Sequence, residues 1–326
     1  MTNKVLIVDA MNTFIRNYVM DPSIGADGFP IGGTRGFLKT LQKLIREIDP
    51  SQVVVVWDGG GGSKKRRTLL KQYKEGRKPI KLNRAYEGLS PLEESQNKYN
   101  QIKKTIDYLN KTPVIQFMVE DVEADDVIAY VCGLPDLSEK IKVIVSSDKD
   151  FIQLCNNTTI LYKPKTKGQK EILNESRVVE QFSIHPNNFA IARAVDGDKS
   201  DNIEGVKGVG LKTLVKSFPE LSESKSLTLD YIFDKCKENF GNSKVYQSIL
   251  MDKKKVELNY GLMQLYSPNI SYGSTKDIRE SFENYSPAFN HTEFMAMLTK
   301  DGLTNFDWET MFQKFRSIIS GTKKND

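Results

Sequence analysis

Acidic residues stand where short apolar runs end. Asp9 closes Val5-Leu6-Ile7-Val8 and Asp58 closes Val55-Val56-Trp57. Glu123, Asp125 and Asp126 follow the run 114–117, and Asp148 and Asp150 follow 143–145. These runs are continuously apolar rather than alternating, as strands covered on both faces are. If the strands lie parallel in an open sheet, their carboxyl ends form the edge at which ligands bind, and seven carboxylates share it. Two unit charges about 4 Å apart repel by roughly 4 kcal/mol at an effective dielectric of 20, so such a group must take up protons or bind cations. No histidine or cysteine stands beside these acids in sequence, and the two histidines are His185 and His291. Hard, oxygen-ligated Mg²⁺ or Mn²⁺ suits that donor set.

Each acid also has a plainer use, because an Asp after a strand often caps the next helix. Asp148 or Asp150 could cap a helix over 151–155. Acids at four strand ends together are poorly explained by capping alone. In Glu123-Ala124-Asp125-Asp126, residues two apart do not share a helix face. Glu123 is therefore expected at or before the helix start, facing one site with Asp125, while Asp126 supports or holds a partner. Asp198 and Asp201, three apart in Asp196-Gly197-Asp198-Lys199-Ser200-Asp201-Asn202, would share a helix face. A polar loop between domains is the competing reading.

The elements that must position these acids follow from periodicity. Strands are expected at 5–8, 53–57, 114–117 and 143–145, and helices at 36–48, 125–131 and 151–155. Their alternation implies an α/β class, with a mostly parallel central sheet flanked by helices. The stretch 59–110 is too long for an ordinary crossover. It opens on Gly59-Gly60-Gly61-Gly62, turns basic and becomes helical over about 92–109, so it reads as an insertion. After Ala194 strand runs stop, and helical patterns follow at 211–218, 229–240, 243–265, 278–285, 292–299 and 308–319. The expected division is an α/β catalytic domain over 1–196, with the insertion at 59–110, and a helical duplex-binding domain over 197–326.

The chain has 326 residues, 39% apolar and 27% charged, which allows roughly two domains with normal cores and rules out wholesale disorder. No run approaches the roughly 18 apolar residues of a membrane span, so no membrane role is expected. Residue 4 goes straight into the first strand pattern, with no signal-peptide layout. Cys132, Cys155 and Cys236 lie far apart, which argues against a disulfide scaffold or a thiolate zinc site and for a reducing cytoplasm. Segment 64–84 holds ten basic residues against one acid, Glu75, so it carries +9 of a net +5 and the remainder carries −4. One basic element on a slightly acidic body suits a polyanion at the first and metal cations at the second. A solvated basic face is the plainer reading of that stretch.

Seven ordered motifs carry a resemblance: Leu6-Ile7-Val8-Asp9, Val56-Trp57-Asp58, Tyr73-Lys74-Glu75-Gly76-Arg77, Val122-Glu123-Ala124-Asp125-Asp126, Ser147-Asp148-Lys149-Asp150-Phe151, Gly197-Asp198-Lys199-Ser200-Asp201-Asn202 and Gly205-Val206-Lys207-Gly208-Val209-Gly210. Over about residues 4–218 the chain resembles the 5′-nuclease superfamily. That superfamily holds flap endonucleases, the 5′-nuclease domain of bacterial DNA polymerase I, and phage 5′-exonucleases and ribonucleases H. The chain is most similar to a stand-alone phage-type enzyme.

The resemblance implies two divalent metals, Mg²⁺ with Mn²⁺ as a substitute. Asp9, Asp58, Glu123 and Asp125 would surround the first, with Asp126 nearby. Asp148, Asp150 and Asp201 would surround the second, with Asp198 adjacent. It makes 64–84 a helical arch for a single-stranded 5′ end, with Lys74 or Arg77 near the scissile phosphate and Arg67 a further DNA contact. The Gly59-Gly60-Gly61-Gly62 run departs from the family pattern and leaves open where the following basic residues sit. The 205–210 turn resembles the helix–hairpin–helix-like element that grips duplex backbone, often with K⁺, and it brings in Lys207, Gly208, Gly210, Lys212 and Lys216. An ordinary Gly-rich turn is the alternative. Implied substrates are DNA with a 5′ flap, nick or end, and RNA–DNA hybrids such as RNA primers in replication. Products would carry a 5′-phosphate and a 3′-hydroxyl. Implied partners are replication proteins such as single-strand-binding protein or a clamp.

Phe14 and Tyr18, four apart, could stack on an unpaired base or fill the core, and His185 is expected to be structural. Two rival classes remain. A phosphatase with a nucleophilic Asp usually carries a second Asp two residues on, where this chain has Met11. A non-catalytic DNA-binding replication factor with a structural metal site would not need the full acidic set.

Overall fold

The computed structural model describes residues 3–76, 82, 88–165 and 168–322. Its central sheet contains β1 (Lys4–Asp9), β2 (Gln52–Trp57), β3 (Ile115–Met118), β4 (Ile141–Val145), β5 (Thr159–Pro164) and β6 (Lys170–Leu173). The spatial order is β3-β2-β1-β4-β5-β6. Every neighbouring pair is parallel except β5–β6. Helices α1 (Ala10–Met20) and α2 (Gly32–Ile48) follow β1, and α3 (Lys64–Leu69) and α4 (Pro91–Leu109) lie between β2 and β3. Next come α5 (Ala124–Cys132) between β3 and β4, then α6 (Glu175–Phe182) and α7 (Pro186–Asp196) after β6. A small antiparallel ladder, β7 (Gly197–Asp198) with β8 (Ile203–Glu204), leads into α8 (Leu211–Ser217), α9 (Leu229–Glu238) and α10 (Lys244–Met251). The chain continues through α11 (Lys253–Met263), α12 (Tyr272–Glu283), α13 (His291–Asp301) and α14 (Glu309–Thr322).

Local chemistry accounts for these elements. The four valines of β2 are wholly buried; each is worth about 1.5–3 kcal/mol relative to exposure, and β-branching favours the extended backbone. α4 starts at a capping box, Ser90 with Glu93, and has proline at its first position. Successive strand residues face opposite sides. Val5, Ile7, Val54, Val56 and Ile144 therefore join one core with α5, α7 and several of the later helices, whereas Leu6, Val8, Val53 and Val55 join another with α1 and α2.

That second core also takes Phe294, Leu298, Phe312 and Phe315 from α13 and α14. The last two helices thus return to the sheet, where the Asp301 carboxylate accepts from Lys104 Nζ at 2.7 Å and Tyr108 OH at 2.8 Å. The expected strands and main helices are present, and three details differ. β5 and β6 were not expected: the continuous apolar run of β5 is only Ile160-Leu161-Tyr162, and β6 is an outer, half-exposed strand. The ladder β7–β8 interrupts the helical region. The single pattern over 243–265 is two helices broken at Asp252.

Candidate active site

The carboxyl edge of the sheet gathers the acids. Asp9, the last residue of β1, caps α1 by accepting from Asn12 N–H at 3.0 Å, and its other oxygen accepts from Ser146 Oγ at 2.8 Å. Asp58 follows β2 and accepts from Ala124 N–H at 2.9 Å, so it ties that strand end to the start of α5. Glu123 occupies the cap position of α5, as its spacing implied, with Asp125 and Asp126 in the first turn. Beyond β4, Asp148 N–H donates to Ser146 Oγ at 3.1 Å and Asp150 N–H to Asp148 Oδ1 at 2.8 Å. Asp198 lies in β7, and Asp201 lies in the turn that follows.

These groups feel one another. Burial pushes the Asp9 carboxyl up to about 7 against its bonds from Asn12 and Ser146, and the charges of Asp58 and Asp148 add to the rise. Asp125 is driven well above the carboxylate range by burial, then by Asp148, Asp9 and Glu123, while Lys74 opposes. Burial also raises Asp148, and Asp201 and Asp198 push the same way. Asp150 is raised to about 7, first by burial and then by Asp148, against Arg193. Clustered, buried or half-buried carboxylate oxygens are the donor chemistry of a hard divalent cation, so the residues present fit such an ion.

Several acids are held by cations of the chain itself. Glu123 accepts from Arg66 at 2.5 Å, Lys74 Nζ at 2.7 Å and Tyr73 OH at 3.0 Å. Burial would raise it, but Lys74 and Arg66 outweigh that and hold its carboxyl below the usual range. Asp126 pairs with Arg66 at 2.9 Å and accepts from Asn269 N–H at 2.9 Å. Arg193 spans Asp150, at 3.0 Å, and Asp198. Among the described residues, no three acidic, histidine or cysteine side chains stand close enough to enclose an ion without moving.

Arg66 and Arg193 were missed by the sequence reading. On α3, Arg66 is 7% exposed, whereas Arg67, the further DNA contact expected on the basic stretch, faces solvent. A six-residue helix has too few apolar positions to reveal which arginine turns inward. Arg193 did carry a signal: it stands in the apolar run Ala190-Ile191-Ala192-Arg193-Ala194-Val195, and a charge buried there requires partners.

Lys74 has φ +56 and donates its N–H to the Asp201 carbonyl at 2.9 Å; Asn202 Nδ2 donates to Gln72 O at 3.0 Å. These bonds stitch the basic segment to the acidic turn. Arg77 lies outside the described residues. In the 205–210 turn, Val206 and Val209 are buried while Lys207 and Gly208 face outward, with Gly208 at φ +79 where only glycine sits without strain. Gly210 stands at the cap position before α8, and Lys212 and Lys216 of that helix are exposed. Phe14 and Tyr18 are wholly buried and stack on each other at 5.8 Å, which makes both core residues. His185 caps α7, accepting from Asn187 N–H at 3.2 Å.

Residues 4–183 match the family described as 5′-3′ exonuclease, N-terminal resolvase-like domain. The chain is 28% identical to a 5′-3′ exonuclease of Aquifex aeolicus over 263 residues, covering 80% of this chain and 81% of that protein. It is 26% identical to DNA polymerase I of Borreliella burgdorferi over 322 residues, which are 95% of this chain and 33% of that protein. It therefore spans about a third of that polymerase's length. The zinc-bound T5 5′-exonuclease has the same fold, with a TM-score of 0.63, 19% identity and coverage of 97% of this chain and 98% of that one. The catalytic core of Rad2 in complex with DNA substrate follows at a TM-score of 0.57 and 15% identity, covering 98% and 93%. Fold and family together define the class, a 5′-nuclease, which hydrolyses phosphodiesters. The chain belongs to the 5′-3′ exonuclease family. Among the described residues, no helix is long and apolar enough to cross a membrane.

Proposed function

We propose that this 5′-nuclease is a Mg²⁺-dependent 5′→3′ exonuclease and flap endonuclease that cuts DNA and RNA–DNA hybrids and removes RNA primers in replication. The observation that carries the reading is the gathering of Asp9, Asp58, Asp125 and Asp148 at one carboxyl edge of the parallel sheet, where burial and neighbouring carboxylates raise Asp9, Asp125 and Asp148. Asp9, Asp58, Glu123 and Asp125 would hold one ion and Asp148, Asp150 and Asp201 a second, with Asp126 and Asp198 in support. Ions held there would supply charge neutralisation for the phosphodiester, a more acidic bound water and a partner for the leaving 3′ oxygen.

The rest belongs to the chain. Arg66 and Tyr73 fix the Glu123 carboxylate, and Arg193 fixes Asp150 relative to Asp198. Lys74, 2.7 Å from Glu123, would offset charge on a phosphate brought to that edge. Arg77 would share this work, and Arg67 would touch backbone farther out. Lys207, Lys212 and Lys216 would grip duplex phosphates beside the open backbone at Gly208 and Gly210, with K⁺ a candidate at that turn. Recognition is of shape and backbone, so affinity falls with salt. The proposed compartment is the cytoplasm, that of the host for a phage-encoded chain, with single-strand-binding protein or a clamp as partners.

The deciding experiment compares product lengths on 5′-labelled flap, nicked and RNA–DNA substrates, with Mg²⁺ and with chelator. Chelator-sensitive products shortened from the 5′ end are expected. No cleavage of any substrate with Mg²⁺ or Mn²⁺ would refute the reading.

A further inference from the structure

β5 ends level with β1. Val8 pairs with Val145 and Val145 with Tyr162, so the next residues, Asp9, Ser146 and Lys163, form one row across the carboxyl edge. Neighbouring strands lie about 4.8 Å apart, which puts the Lys163 backbone roughly 10 Å from that of Asp9. The three share a face by strand alternation, and the Ser146–Asp9 hydrogen bond bears this out for the first two.

Cations collect at this end of the row. Lys163 is half-buried; burial lowers its pKa, Lys149 and Lys165 lower it further, and Glu171 and Asp148 oppose. Lys149 is exposed between Asp148 and Asp150. Lys165 pairs with Glu171 at 3.3 Å, and its carbonyl accepts from the Arg16 guanidinium, which brings a cation from α1 onto the same hairpin. Glu171 thus faces Lys163 and Lys165, while Lys149 acts on Lys163 and Arg16 is tied to the Lys165 carbonyl. Holding like charges together costs energy that an anionic ligand would recover.

The location is specific. Segment 64–76 leaves the sheet after β2, on one side of β1, and this hairpin lies after β4 on the other side. The carboxylates therefore sit between two basic walls.

We propose that Arg16, Lys149, Lys163 and Lys165 form a second phosphate grip, which holds the nucleic-acid backbone on the side of the cut opposite segment 64–76. This rests on the nuclease reading and deepens it: a strand held on both sides of the carboxylates is cut at one position rather than several.

The test uses the full chain carrying Lys149→Ala, Lys163→Ala and Lys165→Ala together. Binding to a labelled flap duplex is followed by anisotropy with Ca²⁺ across a KCl series. Cleavage with Mg²⁺ is followed at single turnover on a sequencing-length gel. Removing one lysine that neutralises a phosphate makes the log affinity–log salt slope shallower by about 0.9, so a change of about 2 to 3 is expected for the triple variant. The single main product should also spread to neighbouring lengths, and Lys→Arg at the three positions should restore both readouts. The exposed pair Lys149→Ala and Lys165→Ala supplies the same comparison if the triple variant does not fold. An unchanged slope with an unchanged product overturns the grip alone. A wild type that binds with a steep slope but cuts nothing overturns the nuclease reading, and the slope of the variant still decides the grip.

Discussion

Replacing Asp9 with asparagine should stabilise the metal-stripped protein at alkaline pH while it destroys activity. Asp9 is 7% exposed, and its carboxyl is pushed from 3.8 to about 7 by burial, with Asp58 and Asp148 adding. Below about pH 4 the group is protonated folded and unfolded, and it costs nothing. As pH rises from about 4 to 7 the unfolded chain ionises first, so the folded state loses stability, and above about 7 the full cost is present. At about 1.4 kcal/mol per unit, the ceiling is about 4 kcal/mol. Asparagine keeps an oxygen for Asn12 N–H and removes the charge. Even a third of that ceiling would raise the melting temperature by a few degrees at this chain length. The assay is thermal unfolding in chelator at pH 5 and pH 8, then with millimolar Mg²⁺. The variant should gain on wild type at pH 8 much more than at pH 5. Mg²⁺ should stabilise wild type at pH 8 and Asp9→Asn far less. An Asp9→Asn protein that melts below wild type by equal amounts at both pH values would refute the reasoning, because a lost cap or packing defect has no such pH dependence.

Other perturbations test other parts of the site. Arg193→Met leaves Asp150 and Asp198 without their shared cation and should cost about 3–5 kcal/mol near pH 8 by urea unfolding. The loss should shrink towards pH 5, where Asp150, already raised to about 7, takes up a proton; a loss independent of pH would count against it. Asp148→Asn and Asp201→Asn should each lose most turnover while substrate still binds, and wild-type rates at limiting Mg²⁺ would contradict their assignment to the ions. Lys74→Ala and Arg77→Ala should slow the single-turnover rate by about 10²-fold or more, a loss of the size expected for a donor acting on transition-state charge. Duplex affinity should change far less, and an affinity loss at an unchanged rate would remove that role. Lys212→Ala with Lys216→Ala should flatten the salt slope of duplex binding by about 1.8 and leave the saturated rate alone; an unchanged slope would take α8 out of the interface.

The sequence alone determined the elements and the acids that end them. The strand runs, the capping box of α4 and the place of Glu123 at the start of α5 are local properties, written in residues a few positions apart. Parallel strands then bring Asp9, Asp58 and Asp148 to one edge, because the crossover connections leave all their carboxyl ends pointing the same way. Only the tertiary structure decided which cation meets which acid. Arg66 and Glu123 are 57 residues apart, and Arg193 and Asp150 are 43 apart. Each pairing depends on which side of a helix turns inward once it packs on the sheet, and a short motif does not encode that. The same limit hid β5, whose short apolar run becomes a strand only because β4 offers it a parallel partner, and with β5 came the row that aligns Lys163 with Asp9.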